Sequence, residues 1–360
     1  MMKKILYVSV LFFIIGLVYL FLAPVPITPV AWQASSNPGY SGEYAKNTLL
    51  ANLTSIDISP YSGPEDIVVN AAGELFISVH EHKILKVYPE EKRYEVFAEN
   101  MGRPLGLAFN PEGELIVADA YLGLLKLDQQ GKAKILLNSV GGELLKYTNN
   151  LDIADNGIIY FSDASSKFGA QAYGGSYPAS LLDLMEHCAC GRVFAFDPSN
   201  GVLIPLASGL HFANGIALSH DQKSLYVSET GRYRVLKIGL QDKSLPIIEH
   251  VISLPGFPDN LTRGLDGKYW LGLVSPRNKL LDAVSNKPLF RKMIQRLPKS
   301  MRPKATFYSH LVAFDDNGAI VKNMQDPNGT YPTNTGALET EKALYISSLT
   351  AKVLAFKPIK

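Results

Sequence analysis

The sequence predicts an all-β fold, a six-bladed β-propeller that follows one transmembrane helix and is interrupted by helical insertions. Three observations lead to this prediction. Short runs of alternating apolar and polar residues dominate the 360 residues, and 29 Gly and 22 Pro punctuate them. One three- or four-stranded unit recurs six times from about residue 60 onward. An uncharged apolar run stands near the N-terminus.

The N-terminal run extends from Ile5 to Ala23 without a charged residue. As a helix, its 19 residues would be about 28 Å long, close to the roughly 30 Å hydrocarbon core of a bilayer. A cleaved signal peptide is the alternative, but the run is long and "FLA" before Pro24 lacks a small-x-small cleavage pattern. Residues 1–23 are therefore predicted to be a signal anchor. Lys3 and Lys4 predict a cytoplasmic N-terminus and a periplasmic, lumenal or extracellular body.

The repeated units predict the blades. Residues 24–59 are expected to be a linker and lead-in, and residues 60–360 the propeller. Each unit has a turn, an apolar strand, a hairpin tip, a second strand and a third strand. The first strands begin in "GPEDIVV", "GRPLGLAF", "YTNNLDI", "FANGIAL", "GFPDNLT" and "NTGALET", and tips such as "PEGE" and "LDGK" are typical of hairpins. A β-sandwich is the alternative, but it would not need six copies of one motif.

Two insertions interrupt the units, at residues 164–191 and 275–309. Nine Lys or Arg and one acid, Asp282, lie between Arg277 and Lys304, a net charge of +8. Two interpretations remain open: a solvated helix packed on the propeller rim, or a basic amphipathic surface that contacts anionic lipid. The apolar positions with helical spacing in this insertion are Leu289, Met293, Ile294 and Leu297.

Composition excludes other classes of function and site. The formal net charge of +2 gives no reason to expect nucleic-acid binding. Cys188 and Cys190 are the only cysteines, so a disulfide framework is not expected, and a bridge across one residue is expected to be strained. Together with His187 they offer too few well-spaced ligands for a metal site.

Asn and Asp recur where the first strand of a unit begins. In a propeller these positions lie on one ring around the central channel, so Glu65, Asn149, Asn214 and Asp259 are expected to meet there. Asn260 stands beside Asp259. Two carboxylates and several amide oxygens suit Ca²⁺, whereas zinc would require His or Cys. The alternative is that these residues only hydrogen-bond their own turns.

The motifs "GRPLGLAF", "NNLDIADNGIIYFSDASSKF", "GRVFAFDPSNG", "FANGIALSHDQKSLYVSET" and "GFPDNLTR" resemble the strictosidine synthase-like propeller family, most closely its membrane-anchored adipocyte plasma membrane-associated protein type. More distant members of this superfamily are the gluconolactonases and paraoxonases, calcium-dependent lactone and ester hydrolases. The resemblance runs from about residue 40 to the C-terminus and also includes the anchor. It implies calcium ligands at Glu65, Asn149, Asn214 and Asp259, with Asn260 as a fifth candidate.

The sequence also departs from its relatives. Plant strictosidine synthases use a glutamate in the last blade where this chain has Thr335, so strictosidine synthase chemistry is not expected. Paraoxonases have a histidine where this chain has Leu105.

The expected function is therefore a membrane-anchored calcium-dependent hydrolase of a small-molecule ester or lactone. The expected catalytic residues are Asp259, both ligand and base as the gluconolactonase resemblance implies, and His211, the His nearest in sequence to an expected ligand. The alternative is a calcium-stabilised propeller that binds a ligand or a protein without turnover.

Overall fold

The structure, a computed structural model, describes residues 2–242 and 246–359. Its described residues form six four-stranded antiparallel sheets and one short hairpin, which confirms the six-bladed propeller. The strands in chain order are β1 (Thr54–Asp57), β2 (Ile67–Val69), β3 (Leu75–Val79), β4 (Lys83–Tyr88), β5 (Arg93–Ala98), β6 (Pro104–Phe109), β7 (Leu115–Asp119), β8 (Gly123–Leu127), β9 (Ala133–Leu137), β10 (Ser139–Val140), β11 (Glu143–Leu144), β12 (Thr148–Ile153), β13 (Ile159–Asp163), β14 (Gly191–Asp197), β15 (Val202–Leu210), β16 (Ala213–Leu218), β17 (Ser224–Glu229), β18 (Arg234–Gly239), β19 (Ile248–Ser253), β20 (Gly256–Arg263), β21 (Tyr269–Pro276), β22 (Ser309–Phe314), β23 (Ile320–Asp326), β24 (Asn334–Glu339), β25 (Ala343–Ser348) and β26 (Val353–Pro358).

Five blades are each built from four consecutive strands, β2–β5, β6–β9, β12–β15, β16–β19 and β20–β23. The apolar core lies between the facing sheets of neighbouring blades. For example, Val193 of the third blade packs in one cluster with Ile216 and Val227 of the fourth, and all three are fully or almost fully buried. Each blade therefore depends on both of its neighbours for the burial of its apolar faces.

The sixth blade closes the ring with strands from both ends of the chain. Its order is β1-β26-β25-β24, and β1 pairs antiparallel with β26 from Thr54 opposite Phe356 to Asp57 opposite Val353. Ile56 is buried between this blade and the first one. Strand β1 lies within the segment 24–59, so that part of the expected lead-in belongs to the propeller itself.

The described helices are α1 (Met2–Leu22), α2 (Ser176–Glu186), α3 (Lys279–Ala283) and α4 (Pro288–Arg296), with short 3-10 turns at Gly42–Tyr44, Thr230–Arg232 and Lys299–Met301. Helix α1 is the one described helix that is long and apolar enough to cross a membrane, with a mean hydropathy of 2.8 and no buried residue. It fits a single-pass membrane anchor. Helix α2 lies in the first expected insertion, and α3 and α4 lie in the second.

Three of the basic residues in the second insertion are buried rather than exposed. Arg291 is 2% exposed and donates to the carbonyl oxygens of Met185 (3.1 Å) and Ser285 (3.0 Å). Arg296 donates to carbonyl oxygens at the end of α1, and Arg277 donates from Nη2 to the Ser35 carbonyl oxygen at 2.7 Å. These three guanidinium groups therefore hold the end of the anchor and the chain that follows it, and they are not part of an exposed basic surface.

The two cysteines, Cys188 and Cys190, form one disulfide bond across a single residue. His187 ends α2 in the left-handed conformation (φ 59°), and Ala189 between the cysteines adopts it too (φ 55°). These two turns fold the segment back, so that the cysteine Cα atoms are 5.3 Å apart, within the usual range for a bridged pair.

Candidate active site

A cavity of about 630 Å³ lies at the end of the central channel where the innermost strands begin. The two insertions surround it, because each follows the second strand of its blade and leaves the sheet at the same end. Four of the expected ligand residues line the cavity together, and we call them the floor: Glu65, Asn149, Asn214 and Asp259. All four are at most 5% exposed, so the topology does bring these distant residues to one buried place.

A repeated β-bulge turns three of the floor residues, Asn149, Asn214 and Asp259, towards the channel. The pairing register shifts between Thr148 and Leu151 in the third blade, between Ala213 and Ile216 in the fourth, and between Pro258 and Leu261 in the fifth. A bulge releases the residues inside it from regular cross-strand pairing and redirects their side chains. The Asn and Asp residues therefore lie within the innermost strands rather than before them.

Serine hydroxyls from neighbouring blades fix these bulges. Ser162 donates to the backbone carbonyl oxygen of Asn214 at 2.6 Å, and Ser228 donates to that of Asp259. All four residues are buried. Since each bond joins the second strand of one blade to the innermost strand of the next, it holds two floor residues in place without using their side chains.

The floor concentrates negative charge in a buried place. Burial raises the pKa of Glu65 to about 7, and the Arg103 guanidinium opposes that shift. Burial raises the pKa of Asp259 well above its ordinary value, and the Glu65 carboxylate adds to this shift. Nη2 of Arg103 lies 3.4 Å from Oε2 of Glu65. Two carboxylates and one guanidinium leave this group one positive charge short of neutrality when both carboxylates are ionised.

The side-chain amide of Asn214 offers an acceptor that suits a cation on the floor. Its Nδ2 donates to the Thr230 hydroxyl at 3.2 Å, and that hydroxyl donates to the Pro258 carbonyl oxygen at 2.7 Å. Its Oδ1 is buried and has no hydrogen-bond partner in the part of the chain that the structure describes. An unpaired buried acceptor beside two carboxylates is costly unless a cation is bound there. The floor offers only oxygen ligands, so these residues fit Ca²⁺.

Asn260, the fifth expected ligand, does not line the cavity. Its Oδ1 accepts from Asn150 Nδ2 at 3.1 Å, and its Nδ2 donates to the Glu65 carbonyl oxygen at 2.9 Å. Asn150 in turn accepts from the backbone N–H of Ile216 at 3.0 Å. The structure thus places these two Asn side chains in a layer of contacts between the inner strands, beneath the floor.

His211 does not line the cavity either. Its ring stacks on His187 with centroids 3.6 Å apart, and His187 stacks in turn on Trp32 at 4.0 Å. Nη2 of Arg232 donates to Nε2 of His211 at 3.0 Å. Burial lowers the pKa of His211 to about 3, and the charge of Arg232 adds to this shift. We therefore do not assign His211 the role of general base, because its acceptor nitrogen is occupied and lies outside the cavity.

Thr335 and Leu105 differ in their positions. Thr335 is fully buried, and its hydroxyl donates to the Glu65 carbonyl oxygen at 2.7 Å. It stabilises the backbone of a floor residue and has no free group for amine–aldehyde condensation. Leu105 lines the cavity as an apolar side chain beside the floor. The wall of the cavity also includes Tyr147 and Phe212, whose rings pack edge to face with centroids 5.2 Å apart.

Sequence reasoning missed Arg103 and Thr230. Arg103 stands in "GRPLGLAF" and Thr230 in "YVSET", both quoted motifs, but neither is at the expected ring position. The arginine in "GRP", just before an apolar inner strand, did indicate a place in the site, because an arginine there needs a buried partner. Thr230 carried no such signal, since threonine is common at strand ends.

Solved structures resemble this fold. A gluconolactonase from Xanthomonas campestris matches with a TM-score of 0.63 at 19% identity, covering 94% of this chain and 99% of the other. A regucalcin from Agrobacterium tumefaciens, described as a calcium-binding protein, matches with a TM-score of 0.59 at 15% identity, covering 85% and 93%. At these identities the resemblance establishes the fold alone.

Sequence comparison establishes the family. The strictosidine synthase family model matches residues 149–242, and the strictosidine synthase-like N-terminal model matches residues 42–87. Adipocyte plasma membrane-associated protein from Salmo salar is 32% identical over 367 aligned residues, covering 94% of this chain and 85% of the relative. Strictosidine synthase-like 13 from Arabidopsis thaliana is 34% identical, covering 63% and 57%. The chain therefore belongs to the strictosidine synthase-like family, among the adipocyte plasma membrane-associated proteins.

Proposed function

We propose that the chain is a calcium-dependent hydrolase of esters or lactones. The observation that carries this proposal is the floor itself: two buried carboxylates and the unpartnered Oδ1 of Asn214 line a largely apolar cavity. The fold shared with a gluconolactonase supports lactone hydrolysis, and the fold shared with a calcium-binding regucalcin supports the binding of calcium. An apolar cavity with a few convergent polar groups is typical of a small-molecule site.

Glu65, Asn149, Asn214 and Asp259 would hold the ion. A calcium ion bound there polarises the substrate carbonyl. Glu65 already faces Arg103, so Asp259 is the floor carboxylate that can accept a proton from the attacking water. The water oxygen bonds to the carbonyl carbon, the ester C–O bond breaks, and the departing oxygen takes that proton. Leu105 and Phe212 exclude bulk water, while the Tyr147 hydroxyl is occupied by the Ser176 carbonyl oxygen at 2.7 Å.

A calcium-stabilised propeller that binds a ligand without turnover is the second candidate. One observation favours it: where relatives have a catalytic glutamate or a histidine, this chain has Thr335, a structural hydrogen-bond donor, and the apolar Leu105. His211 also lies outside the cavity. Under this alternative the floor serves stability and ligand binding only.

Hydrolysis assays separate the two candidates. We expect the purified full-length protein to hydrolyse phenyl acetate and δ-valerolactone in calcium, and to lose this activity in a chelator, because the carbonyl would no longer be polarised. Product formation measured with and without chelator is the test. A protein that calcium stabilises against heat, but that hydrolyses neither compound, would support the binding alternative instead.

We also propose that the propeller lies on the non-cytoplasmic side of the membrane. Lys3 and Lys4 precede α1, and the disulfide between Cys188 and Cys190 is typical of an oxidising compartment. In sealed right-side-out vesicles, added protease is expected to digest the propeller and leave an N-terminal epitope protected. Protection of the propeller together with digestion of the epitope would reverse the orientation.

A further inference from the structure

The end of the anchor helix forms part of the cavity. Tyr19, in the last turn of α1, lines it together with Pro24 and Val25. Arg296 of α4 fixes this end, because it donates from Nη1 to the Leu20 carbonyl oxygen at 2.8 Å and from Nε to that of Ala23 at 2.5 Å. These residues end the apolar run, so the mouth of the cavity lies at the level where a spanning helix leaves the hydrocarbon core.

The chain that follows α1 is held firmly against the insertions. The Thr28 N–H donates to Oε2 of Glu186 at 2.6 Å, and the Val30 N–H donates to the Glu186 carbonyl oxygen at 2.9 Å. Ile27 is 2% exposed in an apolar cluster that contains Phe168 and Leu105. The position of the anchor relative to the cavity is therefore set by buried contacts rather than by a loose linker.

The cavity changes in character from the floor to the mouth. Its lining includes apolar side chains of α2 and α4, which we call the passage: Leu181, Leu184, Met185 and Ile294. Of the basic side chains in the lining, we call those that are exposed or half-buried the rim: Lys299, Arg302 and Lys304. The acidic side chains in the lining are those of the floor, Glu65 and Asp259. A ligand that fits has a polar group at one end and a hydrocarbon chain in the passage.

The outer surface of the second insertion is suited to a lipid headgroup region. It combines exposed apolar side chains with the basic residues of the rim, as interfacial segments do. The large apolar side chains of this insertion that are about half exposed or more are Leu280, Leu289, Phe290, Met301 and Phe307. Such side chains are costly in water but not at the acyl boundary of a leaflet.

We propose that the cavity opens towards the leaflet beside α1 and takes its substrate from it, an ester or lactone with a long hydrocarbon chain. The carbonyl reaches the floor, the chain lies along the passage, and the rim faces the headgroups. The ester or lactone group of the substrate rests on the proposed function. The route from the leaflet and the long hydrocarbon chain of the substrate do not. Each added CH₂ group strengthens partitioning into the membrane, so a long-chain substrate is concentrated in the leaflet.

Photolabelling tests the route without depending on hydrolysis. The full-length protein is placed in vesicles of phosphatidylcholine and phosphatidylglycerol, where a fraction of the phosphatidylglycerol carries a diazirine on its acyl chain. We expect labelled peptides from α2 and α4, and competition by δ-dodecanolactone but not by δ-valerolactone.

Leu181→Glu and Leu184→Glu place a carboxylate in the passage and should reduce this labelling at least about fivefold, because an unpaired charge is costly there. Both leucines are only half-buried, so both variants should fold.

Ile248→Glu is the matched control, since Ile248 is 45% exposed on β19, away from the insertions. It should label like the wild type. Labelling confined to α1, or equal labelling in the two Leu variants and the wild type, would overturn the inference. Hydrolysis of δ-valerolactone without preference for δ-dodecanolactone in the same vesicles would overturn it too, while leaving the proposed function intact. Labelling as expected without any hydrolysis would instead contradict the proposed function alone.

Discussion

Replacement of Asp259 by Asn is expected to reverse the order of thermal stability between calcium and chelator. In chelator, the variant should melt at a higher temperature than the wild type, because it no longer buries Asp259 beside Glu65 as a second carboxylate. In calcium, the wild type should melt higher, since only it has both charges that balance the ion. Calcium affinity should fall roughly tenfold or more, and ester hydrolysis should be lost. Thermal melting over a calcium titration measures both effects.

Asp152→Asn is the matched control for this prediction. Asp152 is also a carboxylate within an innermost strand, but its partners are the Leu218 N–H at 2.8 Å and Arg263 at 3.0 Å, and it does not line the cavity. This variant should lose stability in calcium and in chelator alike and keep the calcium-induced shift. Equal calcium shifts in Asp259→Asn and the wild type would show that Asp259 is not a ligand.

The same charge balance predicts the opposite effect at Arg103. Its guanidinium lies 3.4 Å from Glu65 and so competes with a bound cation for that carboxylate. Arg103→Met should therefore raise calcium affinity, while it lowers stability in chelator because Glu65 is left without a cationic partner. The Val79 and Pro104 carbonyl oxygens lose their donor in either condition. Weaker calcium binding by this variant would contradict a competitive role for Arg103.

The meeting of four polar residues from distant units at one opening was predictable, because the propeller repeats one unit. Glu65, Asn149, Asn214 and Asp259 stand at corresponding places in their units, and circular symmetry carries corresponding places to one opening. The closing strand β1 was harder to predict. "TSID" is four residues long with a single buried side chain, Ile56, so its pattern is too short to distinguish a strand from a lead-in.

The residues whose positions could not be predicted from the sequence depend on contacts between distant segments. His211 is near Asn214 in sequence, but α2 brings His187 against it and its ring stacks there instead. Arg291 and Arg296 belong to a strongly basic insertion, where charged side chains are normally solvated. They are buried because the backbone after α1 supplies carbonyl oxygens to both, a long-range contact with no local sequence signal.

Gly215→Ala is expected to disrupt the fold and the floor together. Gly215 lies on β16 against the innermost strand of the next blade. A Cβ atom there would be 2.4 Å from the Asp259 carbonyl oxygen and 2.4 Å from the Leu261 nitrogen. Both are backbone atoms, so neither can move aside as a flexible side chain would. We expect a loss of about 3 kcal/mol in stability and, for a propeller of this size, a melting temperature lower by roughly 5 °C.

Because the clash falls on Asp259, the calcium-induced shift of Gly215→Ala should also shrink, which a purely global loss of stability would not require. Gly239→Ala in the same blade is the control, since its new Cβ would meet, among the described residues, the end of the Gln241 side chain at 3.1 Å and the Ile247 carbonyl oxygen at 3.8 Å. It should melt close to the wild type, with an unchanged calcium shift. If Gly215→Ala also melted like the wild type and bound calcium equally well, the inner strands would not be packed as closely as this structure has them, and the floor would not depend on that packing.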